Sequence, residues 1–256
     1  MRKEFYSTNR FSNRVENYVK YRPHYPDEVL EFLVSELALK QDSVIADIGS
    51  GTGISSELFV KNGNAVYGVE PNKKMRKAAE EAFKKCQNFI SIDGTAEHTT
   101  LNSRSIDLII AGQSFHWFDL RKSKKEFERI LRPHGIVTLI WNERKSESSE
   151  FMGDYETLLN TYGIDYKEVK QKNVNEKVLG EFFEKNKYKT RLFSNCQEFD
   201  FAGLRGRLLS SSYAPTKGHP NYDPMIDSLQ DIFKKHQQNG EVRFDYDTRL
   251  YSGRLE

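Results

Sequence analysis

The first 142 residues follow one rhythm, in which short continuous apolar runs alternate with stretches of helical spacing. Continuous apolar runs are typical of strands in parallel sheets that are covered on both faces. The runs predict strands at about 43–48, 65–70, 88–92, 106–111 and 136–141, and the stretches between them predict helices at about 54–62, at 72–85 and from Asp119 or Ser123 to a stop at Arg132–Gly135. Ser123 and Glu126 also match the spacing of a capping box. An α/β domain with a mainly parallel sheet is expected.

After residue 142 the rhythm changes. The pattern predicts two polar helices in 143–187, a strand at 189–200, a helix at 201–211, a loop at 212–221, a helix at 225–236 and a last strand at 242–251. The two late strands are expected to pair antiparallel at the sheet edge, with the helices between them above the ligand end. The predicted fold is therefore Rossmann-like, with seven strands, helices on both faces and an antiparallel C-terminal pair.

A short amphipathic helix is predicted near the N-terminus. Its apolar stripe is Phe11, Val15, Tyr18 and Val19, and its candidate N-caps are Asn9 and Ser12. The helix ends at Tyr21–Pro26, because each proline disfavours helical geometry in the residue before it. Such a helix is expected to act as a lid. The predicted organisation is a lid helix at 1–26, a core at 27–142, and helical insertions with the last two strands at 143–256, all within one domain.

A tight glycine turn follows the first predicted strand. The strand carries Asp47 near its end, and Gly49, Gly51 and Gly53 follow at alternate positions. Glycine permits φ > 0 and a close approach of ligand to backbone, and open α/β sheets bind ligands at the carboxyl ends of their strands. A carboxylate at Asp47 is costly to bury unless it holds a donor. The sequence therefore predicts a nucleotide-type site at this turn.

The spacing of the turn discriminates between nucleotide ligands. A dinucleotide turn reads G-x-G-x-x-G and holds a pyrophosphate, whereas this turn reads G-x-G-x-G after an acid. Glu70, at the end of the second strand, suits the two hydroxyls of a ribose. Asp47 and Glu70 together would repel a pyrophosphate and favour a cationic ligand with an amino group and a sulfonium. Polar groups also follow the third and fourth strands, at Asp93 and at Gly112–Trp117.

Composition narrows the function further. The 39 basic and 37 acidic side chains leave a formal net charge of +2, which provides no global field for nucleic acid or an anionic membrane. Two cysteines, Cys86 and Cys196, indicate a reducing compartment rather than a disulfide framework. No apolar run approaches the ~20 residues of a membrane helix, and His219 and His236 lack metal-ligand spacing. We therefore expect a cytoplasmic protein without a metal site.

As a set, these motifs resemble a known family. Asp47–Gly53 with Glu70 looks like the cofactor signature of class I S-adenosylmethionine-dependent methyltransferases. The Asp93 loop followed by Ile106–Leu108 resembles the adenine-binding segment of that family, and Leu131–Gly135 resembles its turn before strand five, with His134 where Gly is commoner. This resemblance spans about residues 9–142. More narrowly, Tyr21–Pro26 and Ser114–Asp119 resemble the small-molecule branch that includes trans-aconitate methyltransferase-like proteins.

The resemblance implies a cofactor and the residues that contact it. The cofactor would be S-adenosyl-L-methionine, with S-adenosyl-L-homocysteine as the product. The turn of Gly49, Gly51 and Gly53 would pass under its methionine part, which Asp47 and Gln113 would also contact. Glu70 would bind the ribose. The residues implied at the adenine are Met75, Asp93, Thr95, Ala96 and Glu97, and those implied to close over the cofactor are Tyr18, Tyr21 and Arg22.

Candidates for the acceptor side come from the residues after the fourth and fifth strands and from the late loop. His116 is the catalytic candidate, because a neutral imidazole accepts a proton near pH 7. A phenol, amine or carbon acid acceptor needs such a base, whereas a carboxylate does not. In the alternative interpretation His116 only shapes the pocket. The candidate lining residues are Trp117, Phe118, Asn142, Ser212 and Tyr213.

Three functions compete at this point. The first is an enzyme, as a monomer or weak dimer, that methylates a small molecule such as a carboxylic acid. The second is a nucleic-acid or protein methyltransferase. Methylation of exocyclic base nitrogens goes with a Pro-Pro-aromatic motif, however, and Gly112–Phe115 stands in that position. The third is a catalytically idle module that binds the cofactor.

Overall fold

The computed structural model describes residues 14–167, 175–183 and 187–255. Within these ranges seven strands form one sheet in the order β3-β2-β1-β4-β5-β7-β6. The strands are β1 (Val44–Ile48), β2 (Ala65–Val69), β3 (Phe89–Ile92), β4 (Ile106–Gly112), β5 (Leu131–Arg144), β6 (Tyr188–Phe199) and β7 (Val242–Gly253). The first five run parallel to one another, and β7 runs antiparallel to both β5 and β6. The predicted Rossmann-like fold with an antiparallel C-terminal pair is confirmed.

The helices alternate with these strands as predicted. Those in the described ranges are α1 (Val15–Tyr21), α2 (Glu28–Leu37), α3 (Ile54–Asn62), α4 (Lys73–Ala82), α5 (Leu120–Ile130), α6 (Glu150–Tyr162), α7 (Glu176–Phe183), α8 (Phe201–Leu209) and α9 (Tyr222–His236), with a 3₁₀ turn at Phe115–Trp117. The described helices include none that is long and apolar enough to cross a membrane.

The core lies on both faces of the sheet, because successive strand residues point to opposite sides. Ile45 packs with apolar residues of α2 and α3 on one face, and its neighbour Ala46 packs with residues of α5 and α7 on the other. A third cluster joins α6, α8 and α9 to the first half of β7 and contains Phe244 and Tyr246. These three helices therefore sit on the part of the sheet that extends past the end of β5.

The start and end of α5 differ in part from the prediction. Asp119 is the N-cap and accepts a hydrogen bond from the Lys122 amide, as one of the two predicted alternatives required. The Ser123 alternative is wrong, because Ser123 lies inside the helix and Glu126 instead accepts hydrogen bonds from Thr99 and Arg129. The helix also ends at Ile130, and the predicted stop sequence already belongs to β5, where the pairing with β4 shifts register.

The N-terminal helix is present from Val15, although it has no buried residue. The predicted stripe residue Val19 is 44% exposed, so it does not pack against the core. Phe11 and the candidate caps Asn9 and Ser12 lie outside the described residues. The contacts of α1 are instead made by its polar and aromatic side chains against α8. Tyr21 packs on Gly206, where an added Cβ would overlap the ring.

Replacing Gly206 with alanine therefore tests the contact between α1 and α8. We expect Gly206→Ala to lower the free energy of unfolding by ~1–3 kcal/mol, because the new methyl group displaces Tyr21 from a packed position. Chemical denaturation measures the change.

Gly153 in α6 is the matched control, because a Cβ there would have its nearest neighbour at 4.0 Å. Gly153→Ala should stabilise the protein by ~0.5–1 kcal/mol through helix propensity alone. If both substitutions raised the free energy of unfolding by the same amount, the packing of Tyr21 on α8 would be contradicted.

Candidate functional site

The turn between β1 and α3 needs its glycines. Gly49, Gly51 and Gly53 all have positive φ, at 69°, 57° and 90°. A Cβ on Gly49 would lie 2.6 Å from the Cβ of Ser114, so the turn also packs closely against the segment after β4. The Gly49 amide donates to the Val69 carbonyl at 2.8 Å, which ties the turn to the end of β2. The three glycines therefore bring the carboxyl ends of three strands together.

Asp47 is fully buried at the end of β1. Its Oδ2 accepts hydrogen bonds from Ser55 Oγ at 2.7 Å and Ser56 Oγ at 2.6 Å, both in the first turn of α3. Burial raises the pKa of Asp47 to about 6, although the two serine hydroxyls oppose that rise. Its Oδ1 is buried and has no partner among the described residues. A buried acceptor of this kind fits an amino group supplied by a ligand.

Glu70 follows β2 and is 9% exposed. Its Oε2 accepts from the Gly51 amide at 3.0 Å and its Oε1 from the Asn72 amide at 2.8 Å. Burial raises its pKa, against these two hydrogen bonds. Each carboxylate oxygen has a second lone pair, so Glu70 can hold the turn and still accept from two further hydroxyls. This arrangement fits the predicted ribose contact.

The predicted adenine segment lies beside Glu70. Asp93 is mostly exposed and pairs with Arg76, whose other nitrogen donates to the Glu70 carbonyl. Thr95 forms an antiparallel bridge with His98, Ala96 is buried, and Glu97 accepts a hydrogen bond from the Asp119 amide. Met75 is buried, and its methyl group is 3.5 Å from where a Cβ on Gly51 would lie. The Arg76 contact was not predicted, because a lysine- and arginine-rich helix gives no sign of which cation turns inward.

The other side of the turn is covered by α1, with its flanking residues Arg14 and Arg22, and by α8. We call these elements together the roof. Arg14 donates to the carbonyls of Leu209 at 2.9 Å and Ala214 at 2.6 Å. Arg22 donates to the Ser210 carbonyl at 3.0 Å and stacks on Tyr18, with 4.9 Å to the ring centroid. Tyr18, Tyr21 and Arg22, which were predicted as closing residues, therefore lie in the roof.

A cleft lies between the glycine turn and the roof. The residues that line it are Tyr18, Arg22, Pro23, Tyr25, Gly49, Ser50, Gly51, Thr52, Ile54, Ser55, Gly112, Gln113, Asn142 and Arg207. Gln113 has a positive φ of 56° and donates from Nε2 to the Asn142 carbonyl at 3.0 Å. Asn142 in turn donates to the carbonyls of Pro23 and His24, so it links the sheet to the segment after α1.

Five predicted acceptor-side residues are not part of this lining, namely His116, Trp117, Phe118, Ser212 and Tyr213. His116 and Trp117 stack against each other in the 3₁₀ turn, with ring centroids 4.8 Å apart. Phe118 packs against the core residues Phe115 and Phe127. Ser212 is half-buried in the loop after α8. The catalytic role of His116 stays a prediction.

A group of buried arginine and tyrosine side chains, which the sequence analysis missed, extends from the roof into the protein behind it. We call this group the arginine–tyrosine cluster. It consists of Arg22, Arg144, Arg207, Tyr155, Tyr213 and Tyr246. Arg144, at the end of β5, donates to Tyr213 Oη at 2.7 Å and to Tyr166 Oη at 2.6 Å, and it pairs with Glu156. Arg207 donates to Tyr246 Oη at 3.0 Å. Two arginines, Arg205 and Arg207, stand among the small and apolar residues of α8, and the sequence does not indicate which of them is buried.

The cluster shifts the acidity of its members. Burial and the charge of Arg207 lower the pKa of the Arg22 guanidinium. Burial acts to raise the pKa of Tyr213, but the charges of Arg144, Arg207 and Arg22 outweigh it and lower that pKa to about 8. Of these three arginines, Arg144 is the one that pairs with a carboxylate of the described residues, that of Glu156. The cluster therefore favours additional negative charge.

Comparisons with known proteins show that the chain is similar to methyltransferases. Residues 46–139 match the profile of a family described as a methyltransferase domain. An uncharacterized methyltransferase-like protein of Schizosaccharomyces pombe is 24% identical over 96% of this chain and 95% of its own length. An uncharacterized methyltransferase of Mycobacterium tuberculosis is 32% identical over 134 residues, which is 52% of each chain. The chain therefore spans about half the length of this second relative.

The fold has counterparts among solved structures. A protein of Anaeromyxobacter dehalogenans, described provisionally as a type II methyltransferase, superimposes with a TM-score of 0.66 at 18% identity, over 92% of this chain and 98% of its own. Sheet order, glycine turn and family match together define the class: the chain is an S-adenosylmethionine-dependent methyltransferase with the class I fold. S-adenosyl-L-methionine is its cofactor, and the groups around the turn fit the amino and ribose groups of that molecule. The described residues contain no group of three metal-binding side chains.

The acidity of Tyr213 can be measured directly. We expect one phenol to titrate near pH 8, about two pH units below an ordinary tyrosine, as followed by phenolate absorbance. Tyr213→Phe should remove this step, and Tyr251→Phe should leave it, because burial raises the pKa of Tyr251 instead.

The same shift has a consequence for stability. A lowered folded-state pKa stabilises the fold fully above the unfolded value of about 10, and this contribution is lost as the pH falls through 8. The free energy of unfolding of the native protein should therefore rise relative to that of Tyr213→Phe between pH 8 and 10. A constant difference would contradict the cluster's effect on Tyr213.

Proposed function

We propose that this methyltransferase acts on a small carboxylic acid. The observation that carries the proposal is the cleft, in which the glycine turn faces a roof that supplies Arg22 and Arg207. Arg14 and Arg22, which flank α1, donate three hydrogen bonds to carbonyls at the end of α8 and in the loop after it. A covered cleft suits a small molecule, whereas a nucleic-acid or protein chain needs an open groove. The buried arginines favour an acid.

The proposed roles of the cofactor residues follow from their environments. Asp47 would accept from the amino group through its unpartnered Oδ1, and Glu70 would accept from the ribose hydroxyls. Met75, Asp93 and Ala96, with Thr95 and Glu97, would surround the adenine. Gln113 would lie along the methionyl chain under Tyr18, Tyr21 and Arg22. Asn142 and Tyr213 are proposed on the acceptor side.

The chain's catalytic contribution would be mainly orientation. S-adenosyl-L-methionine supplies an activated methyl group when bound. The residues of the cleft hold the acceptor on the axis of displacement and exclude water, and orientation can contribute ~7–11 kcal/mol in favourable cases. A carboxylate is already a nucleophile, so this reaction needs no proton transfer to His116. The product would be a methyl ester.

Relatives support an oxygen acceptor. A malonyl-[acyl-carrier protein] O-methyltransferase of a Marinomonas species is 29% identical over 134 residues, which is 48% of its length. The Tyr21–Pro26 and Ser114–Asp119 segments resemble trans-aconitate methyltransferase-like proteins. We therefore include trans-aconitate among the acids to be tested.

The cofactor assignment is tested at Glu70. Glu70→Gln should weaken S-adenosyl-L-homocysteine binding by roughly 10- to 150-fold, because hydrogen bonds to a charged group contribute ~1.5–3 kcal/mol. Isothermal titration calorimetry gives the affinity, and the midpoint of thermal unfolding checks the fold. Glu81→Gln is the control, since Glu81 is exposed and pairs with Lys84 on the surface. Equal affinities in the two variants would refute the ribose role.

The acceptor class is tested by a screen with methyl-labelled cofactor. The panel contains small mono-, di- and tricarboxylates, phenols, amines, duplex DNA and an unfolded protein. We expect label in carboxylic acids, released by mild base as expected of an ester. Transfer only to DNA or protein would support the second candidate function, and binding of cofactor without any transfer would support an idle module.

A further inference from the structure

The three arginines of the arginine–tyrosine cluster are not equivalent. Arg144 is engaged by two phenols and by Glu156. Arg22 donates to a backbone carbonyl and stacks on Tyr18. Arg207 lines the cleft, is 3% exposed and has neutral hydrogen-bond partners, Tyr246 and Ser211. Arg22 and Arg207 both line the cleft, but Arg22 is one of the predicted cofactor contacts. Of the three arginines, Arg207 is therefore the one that remains for a second, anionic ligand.

The position of Arg207 is rigidly determined. Its Nε donates to Tyr246 Oη at 3.0 Å and its Nη1 to Ser211 Oγ at 3.2 Å. The guanidinium also lies over the rings of Phe244 and Tyr246, at 5.6 and 5.8 Å from their centroids. Tyr246 in turn donates to Gln197 at 2.9 Å. A guanidinium held in one plane presents its remaining donors in a fixed direction, which suits the planar, two-oxygen geometry of a carboxylate.

Two orphaned groups indicate that something completes the cluster. The Tyr155 hydroxyl is buried, and neither it nor the buried Nε of Arg22 has a hydrogen-bond partner in the described structure. Buried polar groups are nearly always paired in folded proteins. Tyr155 also lies close enough to Arg207 for the two groups to influence each other's pKa. A carboxylate bound in the cleft beside Arg207 would supply negative charge to this arginine-rich cluster.

We propose that Arg207 determines the specificity of the enzyme by binding a carboxylate of the acceptor, held in position by Tyr246 and Ser211. This inference rests on the proposed function, since it assigns the acceptor-binding residue of that reaction. It predicts that a matched neutral amide is not recognised. It also predicts that Arg207 contributes to the binding of the acceptor and not to that of the cofactor.

The test is a binding experiment that does not require turnover. Protein saturated with S-adenosyl-L-homocysteine is titrated in a calorimeter with succinate, citrate, trans-aconitate, benzoate and inorganic phosphate, and with succinamide and benzamide as neutral counterparts. At least one carboxylate should bind the native chain, and its amide should not. Arg207→Met, which keeps length but removes charge, should weaken that binding about tenfold or more. Arg207→Lys should fall between the two, because it keeps the charge without the planar fork.

Arg205→Met is the matched control, because Arg205 lies two residues away on α8 with an exposed side chain that reaches Tyr222. It should leave carboxylate binding unchanged. An unaltered affinity of Arg207→Met for S-adenosyl-L-homocysteine shows that the variant is folded and that the loss is specific to the acceptor. If that affinity falls as well, Arg207→Lys provides the comparison: carboxylate binding by a folded Lys variant that is stronger than that of Arg207→Met supports a role of the charge, and equal binding by the two variants contradicts it.

Three results would overturn the proposal. These are equal carboxylate binding by Arg207→Met and the native chain, no carboxylate binding by the native chain, or binding of phosphate alone. Failure of the proposed function looks different: carboxylates then bind through Arg207 but receive no methyl group. If instead a neutral acceptor is methylated equally well by Arg207→Met, the proposed specificity fails while the methyltransferase activity stands.

Discussion

The burial of the Asp47 carboxylate is the constraint on which the site depends. This side chain sits at the end of a central strand, with one oxygen held by Ser55 and Ser56 of the following helix. These hydrogen bonds connect α3 to β1. The backbone between them turns tightly, with positive φ at Gly49, Gly51 and Gly53. Glu70 then holds that turn from the side through the Gly51 amide. Two carboxylates thus shape the turn and remain available to a cationic ligand.

The charges around the cleft are separated. The basic side chains Arg22 and Arg207 line the cleft from the roof, whereas the acidic side chains Asp47 and Glu70 lie behind the glycine turn and hydrogen-bond to its neighbours. A cofactor with a sulfonium and an amino group complements the acidic side chains, and an anionic acceptor complements the basic ones. Opposite charges of the two substrates would also attract each other across the cleft, where low polarity strengthens such interactions. On the proposed function, the chain would favour the reactive pair without a dedicated base.

The sequence predicted the strands and helices of the first half of the chain well, because their signals are local. Apolar runs, a glycine turn and acids at strand ends are each contained in a few consecutive residues, and the strand order follows from simple rules of parallel connection. Asp47, Glu70 and the three glycines came together as expected. The Asp119 cap was recognised for the same reason, whereas the Ser123 capping box was not formed because the real helix starts one turn earlier.

The roof could not be predicted in the same way, because its contacts join residues nearly 200 positions apart. Arg14 with Ala214 and Arg22 with Ser210 are pairs of this kind. The arginine–tyrosine cluster draws on β5, α6, α8 and β7, and none of those segments carries a local motif. Arg207 resembles a surface residue in the sequence and is buried only because α1, the late loop and β7 meet around it. The pattern of residues does not show which polar side chains become buried through contacts between distant parts of the chain.

One property of the roof bears on how such a protein can diversify. Arg14 and Arg22 donate to the backbone carbonyls of residues 209, 210 and 214, and not to their side chains. Every amino acid supplies a carbonyl, so these hydrogen bonds do not depend on which side chains occupy positions 209, 210 and 214. If this loop borders the acceptor, as we propose, substitutions there could change the acceptor site while the contacts of α1 are kept. The fold could in this way bind different acceptors while the residues proposed to contact the methyl donor stay the same.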